Sequence, residues 1–108
     1  MRLNTEQQTR PPTAPTVRPD IDHTTRELTR LLPPYRVMLH NDDHNSMDHV
    51  VRAIVESVPA VSTQRAIEIM FEAHNSGVAE VIVCPLEPAE LYRDRLQTFG
   101  LKATIEKA

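Results

Sequence analysis

The sequence is poor in several residue types on which particular functions depend. Its 108 residues include one cysteine, two glycines and no tryptophan. A single cysteine excludes an internal disulfide framework and a zinc site built from cysteines. Two glycines are too few for a glycine-rich phosphate-binding loop. These absences leave a function that is carried by a few polar side chains and an apolar surface.

Long hydrophobic runs and an excess of positive charge are also missing. No apolar stretch approaches the roughly 18 residues that a membrane-spanning helix needs, and no basic start leads into a secretory signal. Twelve basic and fifteen acidic residues give a formal charge of −3, whereas nucleic-acid binding depends on clustered lysine and arginine. We therefore expect a single cytoplasmic, monomeric domain that binds neither nucleic acid nor a membrane.

Proline and threonine divide the chain into two parts. Residues 1–34 hold six of the nine prolines and seven threonines, but few large apolar side chains. Such a segment cannot bury enough apolar surface to offset the entropy lost on ordering it. We expect a disordered extension over residues 1–33 and a folded core over residues 34–108. Because acids are scarce before Asp20, an organelle transit peptide, which would direct the protein to the stroma, stays open as an alternative.

Hydrophobic periodicity predicts an α+β fold for the core. The predicted elements are a strand at 35–40, helices at 47–58 and 63–76, a strand at 81–84, a helix at 87–99 and a strand at 101–105. The order β-α-α-β-α-β indicates a small domain in which a three-stranded antiparallel sheet packs against three helices. We expect the apolar run at 81–84 to be the central strand. We also predict that Ser46 and Ser62 cap the first two helices and that Gly77 ends the second.

The second helix carries apolar residues at helical spacing. The predicted buried face consists of Ala66, Ile67, Met70, Phe71 and His74. On this spacing alone, a histidine among apolar residues is interpreted as a hydrogen-bonded core residue. The only thiol, that of Cys84, lies in an apolar strand, and no serine lies in a nucleophile motif, so we expect no enzymatic activity.

The most polar part of the core is the corner between the first strand and the first helix. Residues 40–44 read His-Asn-Asp-Asp-His and are followed by Asp48 and His49. One interpretation is a divalent-metal site, in a metal-binding protein or a metal-dependent enzyme. The candidate ligands are His40, Asp42, His44 and His49. A second interpretation is structural, since Asn and Asp stabilise turns by bonding their own backbone.

A third interpretation of this corner is a site for a positively charged group. Asp42 and Asp43 are hydrogen-bond acceptors, and Asn41 accepts through its amide oxygen. A free α-amino group has a pKa of roughly 7.7–8.0 and is mostly an ammonium at neutral pH. Two or three charge-assisted hydrogen bonds would hold it. The residues alone leave the three interpretations open.

A longer pattern resembles a known family. The sequence Tyr-Arg-Val-Met-Leu-His-Asn-Asp-Asp at residues 35–43, followed by Met47, is similar to the signature of the ClpS adaptors. The similarity continues through residues 65–77 and ends with Thr-Ile-Glu-Lys-Ala at residues 104–108. It covers roughly residues 34–108, and an N-terminal extension of this kind is also common in the family.

The resemblance implies an adaptor that uses no cofactor. ClpS proteins recognise N-degrons, which are substrates whose first residue is a bulky Phe, Tyr, Trp or Leu. They deliver these substrates to the N-terminal domain of a Clp AAA+ unfoldase, ClpA or ClpC, which works with the ClpP peptidase. The unfoldase pore engages the extension, which helps delivery.

The resemblance also implies a role for individual residues. The substrate's α-amine would be bound by Asn41, Asp42 and His74, and Asp43 and Asn45 would lie at the pocket rim. The hydrophobic pocket would be lined by Met47, Val50, Met70, Ala73 and Leu101. Met47 would act as a gatekeeper that rejects substrates whose first residue is Val or Ile.

Two departures from the family pattern concern specificity. The family commonly has Tyr-Thr-Pro after the two aspartates, where this chain has His-Asn-Ser at residues 44–46. The residue before the helix histidine is often Val in the family, and here it is Ala73. Loss of two methyl groups predicts a wider pocket floor with relatively better tolerance of large rings.

Overall fold

The fold follows the predicted order of strands and helices. A computed structural model describes residues 32–108. Its elements are β1 (Pro34–His40), α1 (Met47–Ser57), α2 (Thr63–Ser76), β2 (Val78–Pro85), α3 (Leu86–Thr98) and β3 (Lys102–Lys107). The predicted α+β class is confirmed. The predicted disordered extension lies outside the described residues except for its last two positions, and within 32–108 no helix meets the length and hydropathy that a membrane crossing requires.

The central strand of the sheet is β1, not the strand that contains residues 81–84. The strand order is β2-β1-β3, and both pairings are antiparallel. Ala79 and Val81 of β2 are buried, whereas Val83 is 45% exposed. The β-bulge in the β1–β2 pairing places Val83 opposite Arg36, on the solvent face, although a regular strand would keep it on the same side as Val81. A run of four apolar residues suggested burial on both faces, but β2 is an edge strand and Val83 faces solvent.

The two faces of β1 have opposite character. Val37 and Leu39 are buried in the core, where the helices cover the sheet. On the other face, Arg36 Nε lies 3.3 Å from Glu80 Oε1, and its Nη1 lies 3.2 Å from Glu106 Oε2. All three side chains are substantially exposed, so these ion pairs contribute little to stability. The fold is therefore held mainly by the apolar face, as the period-two pattern predicted.

The helix termini form through local hydrogen bonds that the sequence predicted. Ser46 Oγ accepts a hydrogen bond from the backbone N–H of His49 at 3.2 Å, at the start of α1. Ser62 Oγ accepts one from Arg65 N–H at 3.1 Å, at the start of α2. Gly77 ends α2 in the left-handed region with a φ of 88°. These caps fix where both helices begin and where α2 turns into β2.

The buried face of α2 differs from the predicted one. It consists of Ala66, Ile69, Met70 and Ala73. Ile67 and Phe71 are 40% and 47% exposed, and His74 is exposed as well. Both the buried stripe and the neighbouring one are apolar, so helical spacing alone did not distinguish them. The residues of the neighbouring stripe point along the surface beside α1.

Truncation of one isoleucine on each stripe tests this assignment. Ile69 is fully buried, and Ile69→Ala removes methyl groups from the core and leaves a cavity. We expect the free energy of unfolding to fall by about 2–5 kcal/mol. Ile67→Ala, on the exposed stripe of the same helix, should cost less than about 1 kcal/mol. Urea unfolding followed by circular dichroism measures both values, and equal losses would contradict the assigned face.

Candidate ligand-binding cleft

A cleft opens where the end of β1 meets the start of α1 and the end of α2. Its volume is about 310 Å³, which lies within the usual range for small ligand pockets. All ten predicted site residues line it, namely Asn41, Asp42, Asp43, Asn45, Met47, Val50, Met70, Ala73, His74 and Leu101. Leu39, His40 and Ser46 also line the cleft, although they were not among the predicted cleft residues.

The floor of the cleft is apolar and belongs to the buried core. Met70, Ala73 and Leu101 are 7%, 3% and 4% exposed, so their positions are fixed by the core. Val50 is half-buried, whereas Met47 is 44% exposed at the mouth. Methionine is unbranched and adaptable, so this residue can adjust to the shape of an inserted group. The floor is suited to an apolar side chain that enters from the solvent.

Polar side chains surround the mouth of the cleft. Asn41 and Asp43, in the loop after β1, and His74, in the last turn of α2, are exposed. The backbone N–H of Asn41 donates a hydrogen bond to the carbonyl of Gly77 at 3.0 Å. This bond joins the loop to the end of α2 and brings acceptors from two distant segments to one rim.

Asp42 is held in place by its neighbours. Its Oδ1 accepts hydrogen bonds from the backbone N–H groups of His44 and Asn45 at 2.9 and 3.1 Å. Asn45 Nδ2 donates to Oδ1 and Oδ2 of Asp42 at 3.2 and 3.1 Å, and also to the carbonyl of Gly100 at 3.1 Å. The local turn that the structural interpretation predicted therefore forms, and it extends to the loop before β3.

The environment of Asp42 keeps its carboxylate ionised. Burial alone would raise its pKa, but the hydrogen bonds from His44 and Asn45, together with the nearby His44 imidazole, outweigh burial and lower the pKa below its ordinary value. A carboxylate offers about four lone-pair positions, and among residues 32–108 Oδ2 accepts only the Asn45 amide. This oxygen retains the capacity to accept a hydrogen bond from a cation.

Three of the four residues proposed as metal ligands, His40, Asp42 and His49, have other hydrogen-bond partners. His40 Nε2 lies 2.7 Å from Thr104 Oγ1. His49 Nε2 donates a hydrogen bond to the carbonyl of Phe99 at 2.7 Å and so has no lone pair free at that nitrogen. Across residues 32–108, no group of three or more His, Cys, Asp and Glu side chains could hold a metal ion. The metal interpretation is not supported, because strand and helix direct its candidate ligands to different neighbours.

The fold and the cleft define a small binding domain that can hold a cation attached to an apolar group. The family model described as ATP-dependent Clp protease adaptor protein ClpS matches residues 31–104. The chain belongs to this ClpS family, as the sequence pattern predicted. A Prochlorococcus marinus protein named ATP-dependent Clp protease adapter protein ClpS is 49% identical over 87 residues, which are 81% of this chain and 83% of that protein.

Further relatives agree with this assignment. ClpS of Synechococcus elongatus is 46% identical over 77 residues, which are 71% of this chain and 81% of the relative. Chloroplastic CLPS1 of Arabidopsis thaliana is 40% identical over 81 residues, which are 75% of this chain and 51% of the relative. The solved structure of Agrobacterium tumefaciens ClpS2 bound to L-phenylalaninamide is 28% identical with a TM-score of 0.66, and the match covers 70% of this chain and 98% of that one.

Removal of the Asn45 side chain tests how the cleft is held together. Asn45→Ala eliminates the amide that joins Asp42 to Gly100, so the pKa of Asp42 should rise toward its ordinary value of 3.8. We expect the free energy of unfolding at pH 7 to fall by about 1–2 kcal/mol. NMR titration of the Asp42 carboxyl carbon and urea unfolding measure the two effects.

The effect of Asn45→Ala on the free energy of unfolding should depend on pH. A carboxylate whose pKa is lowered by folding stabilises the protein at pH values above its ordinary pKa. That contribution disappears as the pH falls through the lowered pKa. The part of the Asn45→Ala effect that depends on the Asp42 charge should therefore shrink below pH 3.8. Asn75→Ala, at an exposed position near the end of α2, is the control and should change neither quantity. An unchanged Asp42 pKa in Asn45→Ala would contradict the assignment.

Proposed function

We propose that this ClpS family member binds N-degrons, that is, proteins with a free α-amino group and a bulky hydrophobic first residue. The preferred first residues would be Phe, Tyr, Trp and Leu. The observation that carries this proposal is the combination of hydrogen-bond acceptors at the mouth with an apolar floor beneath them. An N-terminal residue has the same combination, because its ammonium and its side chain extend from one carbon atom.

The α-amino group would be bound by Asn41, Asp42 and His74. An ammonium has three donors, which match the amide oxygen, the carboxylate and an unprotonated imidazole nitrogen. Hydrogen bonds to charged groups contribute about 1.5–3 kcal/mol each. The ionised state of Asp42 supports its role, since a protonated carboxyl group would lack the charge that attracts the amine.

The first side chain would occupy the apolar floor. Its burial contributes about 1.5–3 kcal/mol, and with the amine contacts a Kd in the micromolar range, about −8 kcal/mol, is expected after association costs. Met47 at the mouth would exclude side chains that branch at Cβ. Asp43 and Asn45 would act at the rim, the latter by holding Asp42.

The ligand of the solved relative supports this proposal. L-phenylalaninamide, the molecule bound to Agrobacterium tumefaciens ClpS2, consists of a free α-amine, a benzyl side chain and a carboxamide. The carboxamide stands in for the first peptide bond of a protein chain. The molecule is thus a small mimic of an N-terminal phenylalanine, and the cleft of this chain has matching acceptors and a matching apolar floor.

We further propose that the chain delivers its substrates to the N-terminal domain of a ClpA- or ClpC-type unfoldase. The relatives are named adapters of the ATP-dependent Clp protease, and those of plants are named chloroplastic. The protein would act where that protease is found, in the cytoplasm or a stroma. Residues 1–33 would form the extension that the unfoldase engages.

The adaptor would have no catalytic activity of its own. Burial raises the pKa of the Cys84 thiol, which disfavours the nucleophilic thiolate. Its neighbours in β2 are apolar, with no histidine on the strand to activate it.

Binding of a free N-terminal amine is the direct test of this function. A fluorescently labelled peptide that begins with Phe should bind with a Kd in the micromolar range or tighter, as measured by anisotropy. N-acetylation removes the charge and two of the three donors, so we expect affinity to fall by about 100-fold or more. Equal and weak binding of both peptides would contradict the proposed site.

A pair of adjacent substitutions provides the matched control for this measurement. His74→Ala removes a proposed amine acceptor and should weaken binding of the free-amine peptide by about tenfold. Asn75→Ala, at the next and equally exposed position, should leave the affinity unchanged. If both variants bind like the unmodified chain, His74 does not bind the amine.

The small residue at the pocket floor predicts the order of preferred first residues. Ala73→Val adds two methyl groups at a position that is 3% exposed and lines the cleft. We expect affinity for peptides that begin with Trp or Tyr to fall by about threefold or more relative to Leu, because the floor is raised. Ala60→Val, at an exposed position outside the cleft, is the control. An unchanged ranking in Ala73→Val would show that this residue does not set the preference.

A further inference from the structure

A second depression follows the two helices away from the cleft. Its apolar lining consists of Met47, Val51, Val55, Ile67, Met70 and Phe71. We name it the α1–α2 groove. Its volume is about 490 Å³, and Met47 and Met70 line both this groove and the ligand-binding cleft. The two depressions therefore adjoin at these methionine side chains.

The groove exposes apolar side chains that the core does not use. Met47, Ile67 and Phe71 are 44%, 40% and 47% exposed, and they are three of the seven large hydrophobic residues exposed within residues 32–108. A cluster of this kind on a small soluble domain marks a binding surface more often than isolated exposed residues do.

We propose that the α1–α2 groove binds the substrate residues that directly follow the first one, and that it favours apolar side chains there. This inference rests on the proposed function. A substrate whose amine lies against His74 and whose first side chain fills the cleft must continue past the mouth. Phe71 lies one helical turn from His74, so the groove begins within one or two residues of the bound amine.

The dimensions of the groove suit a short extended segment. From Met47 to Val55, helix α1 advances by about 12 Å at 1.5 Å per residue. An extended chain rises about 3.3 Å per residue, so the groove accommodates three or four residues. These correspond to positions 2 to 5 of the substrate.

The apolar patch is too small for a second copy of the chain. A stable dimer buries roughly 800 Å² on each partner. Half of an aromatic side chain exposes only about 100 Å², and the groove has one such ring and two partly exposed aliphatic side chains. A short peptide segment needs far less area, because the cleft beside it already anchors its first residue.

Peptides that differ only after the first residue test this inference. With an N-terminal Phe held constant, positions 2 to 4 are either Val-Leu-Val or Ser-Ser-Ser, and the full chain is titrated by anisotropy. We expect the apolar peptide to bind about fivefold tighter, because one of its side chains is partly buried in the groove. Phe71→Ser should reduce this ratio to below about twofold without changing affinity for the Ser peptide.

Leu91→Ser is the matched control. Leu91 has the same 47% exposure as Phe71 but does not line the groove, so the fivefold ratio should persist in this variant. If both peptides bind the unmodified chain equally and only with a free amine, the groove inference is wrong while the proposed function stands. If neither peptide binds, both the groove inference and the proposed function are wrong.

Two further outcomes would identify another occupant and overturn the inference. If Phe71→Ser raises affinity for both peptides alike, the groove is covered by another segment of the same chain. If the unmodified chain sediments as a dimer and Phe71→Ser sediments as a monomer, a second copy occupies it.

Discussion

The side-chain amide of Asn45 joins the two halves of the cleft, and the geometry of the site depends on it. Its nitrogen donates to both carboxylate oxygens of Asp42 and to the carbonyl of Gly100. Asp42 belongs to the polar mouth, whereas Gly100 directly precedes Leu101 of the apolar floor. One side chain thus sets the distance between a negative charge and an apolar surface, and that distance determines which ligands fit both.

A second link fixes the other side of the mouth. The hydrogen bond between Asn41 N–H and the Gly77 carbonyl joins the loop after β1 to the end of α2. Gly77 has a φ of +88°, and a Cβ added there would meet no atom within 4 Å. The glycine is therefore favoured by backbone conformation and not by lack of space. Because α2 ends here, His74 lies in its last turn beside the loop.

The sequence predicted well those features that depend on local interactions. Ser46 and Ser62 cap helices through bonds that span three residues, and such bonds can be identified in the sequence. The buried stripe of α2 depends instead on which way the helix is rotated against the sheet, and Ile67 and Ile69 are equally apolar. The role of Asn45 could not be predicted, because its partner Gly100 lies 55 residues away. His74 was linked to the site only by the family resemblance.

The composition of the core explains why the cleft stays open. Within residues 32–108, six of the sixteen buried hydrophobic residues are alanines, and none of the sixteen is aromatic. Small side chains let the helices approach the sheet closely, so the remaining space near Ala73 cannot be filled from behind by a neighbouring ring. This space can accommodate a large apolar group from outside the folded core. On the proposed function, the first side chain of the substrate supplies it, which relates the shortage of buried aromatic residues directly to the preference for bulky first residues.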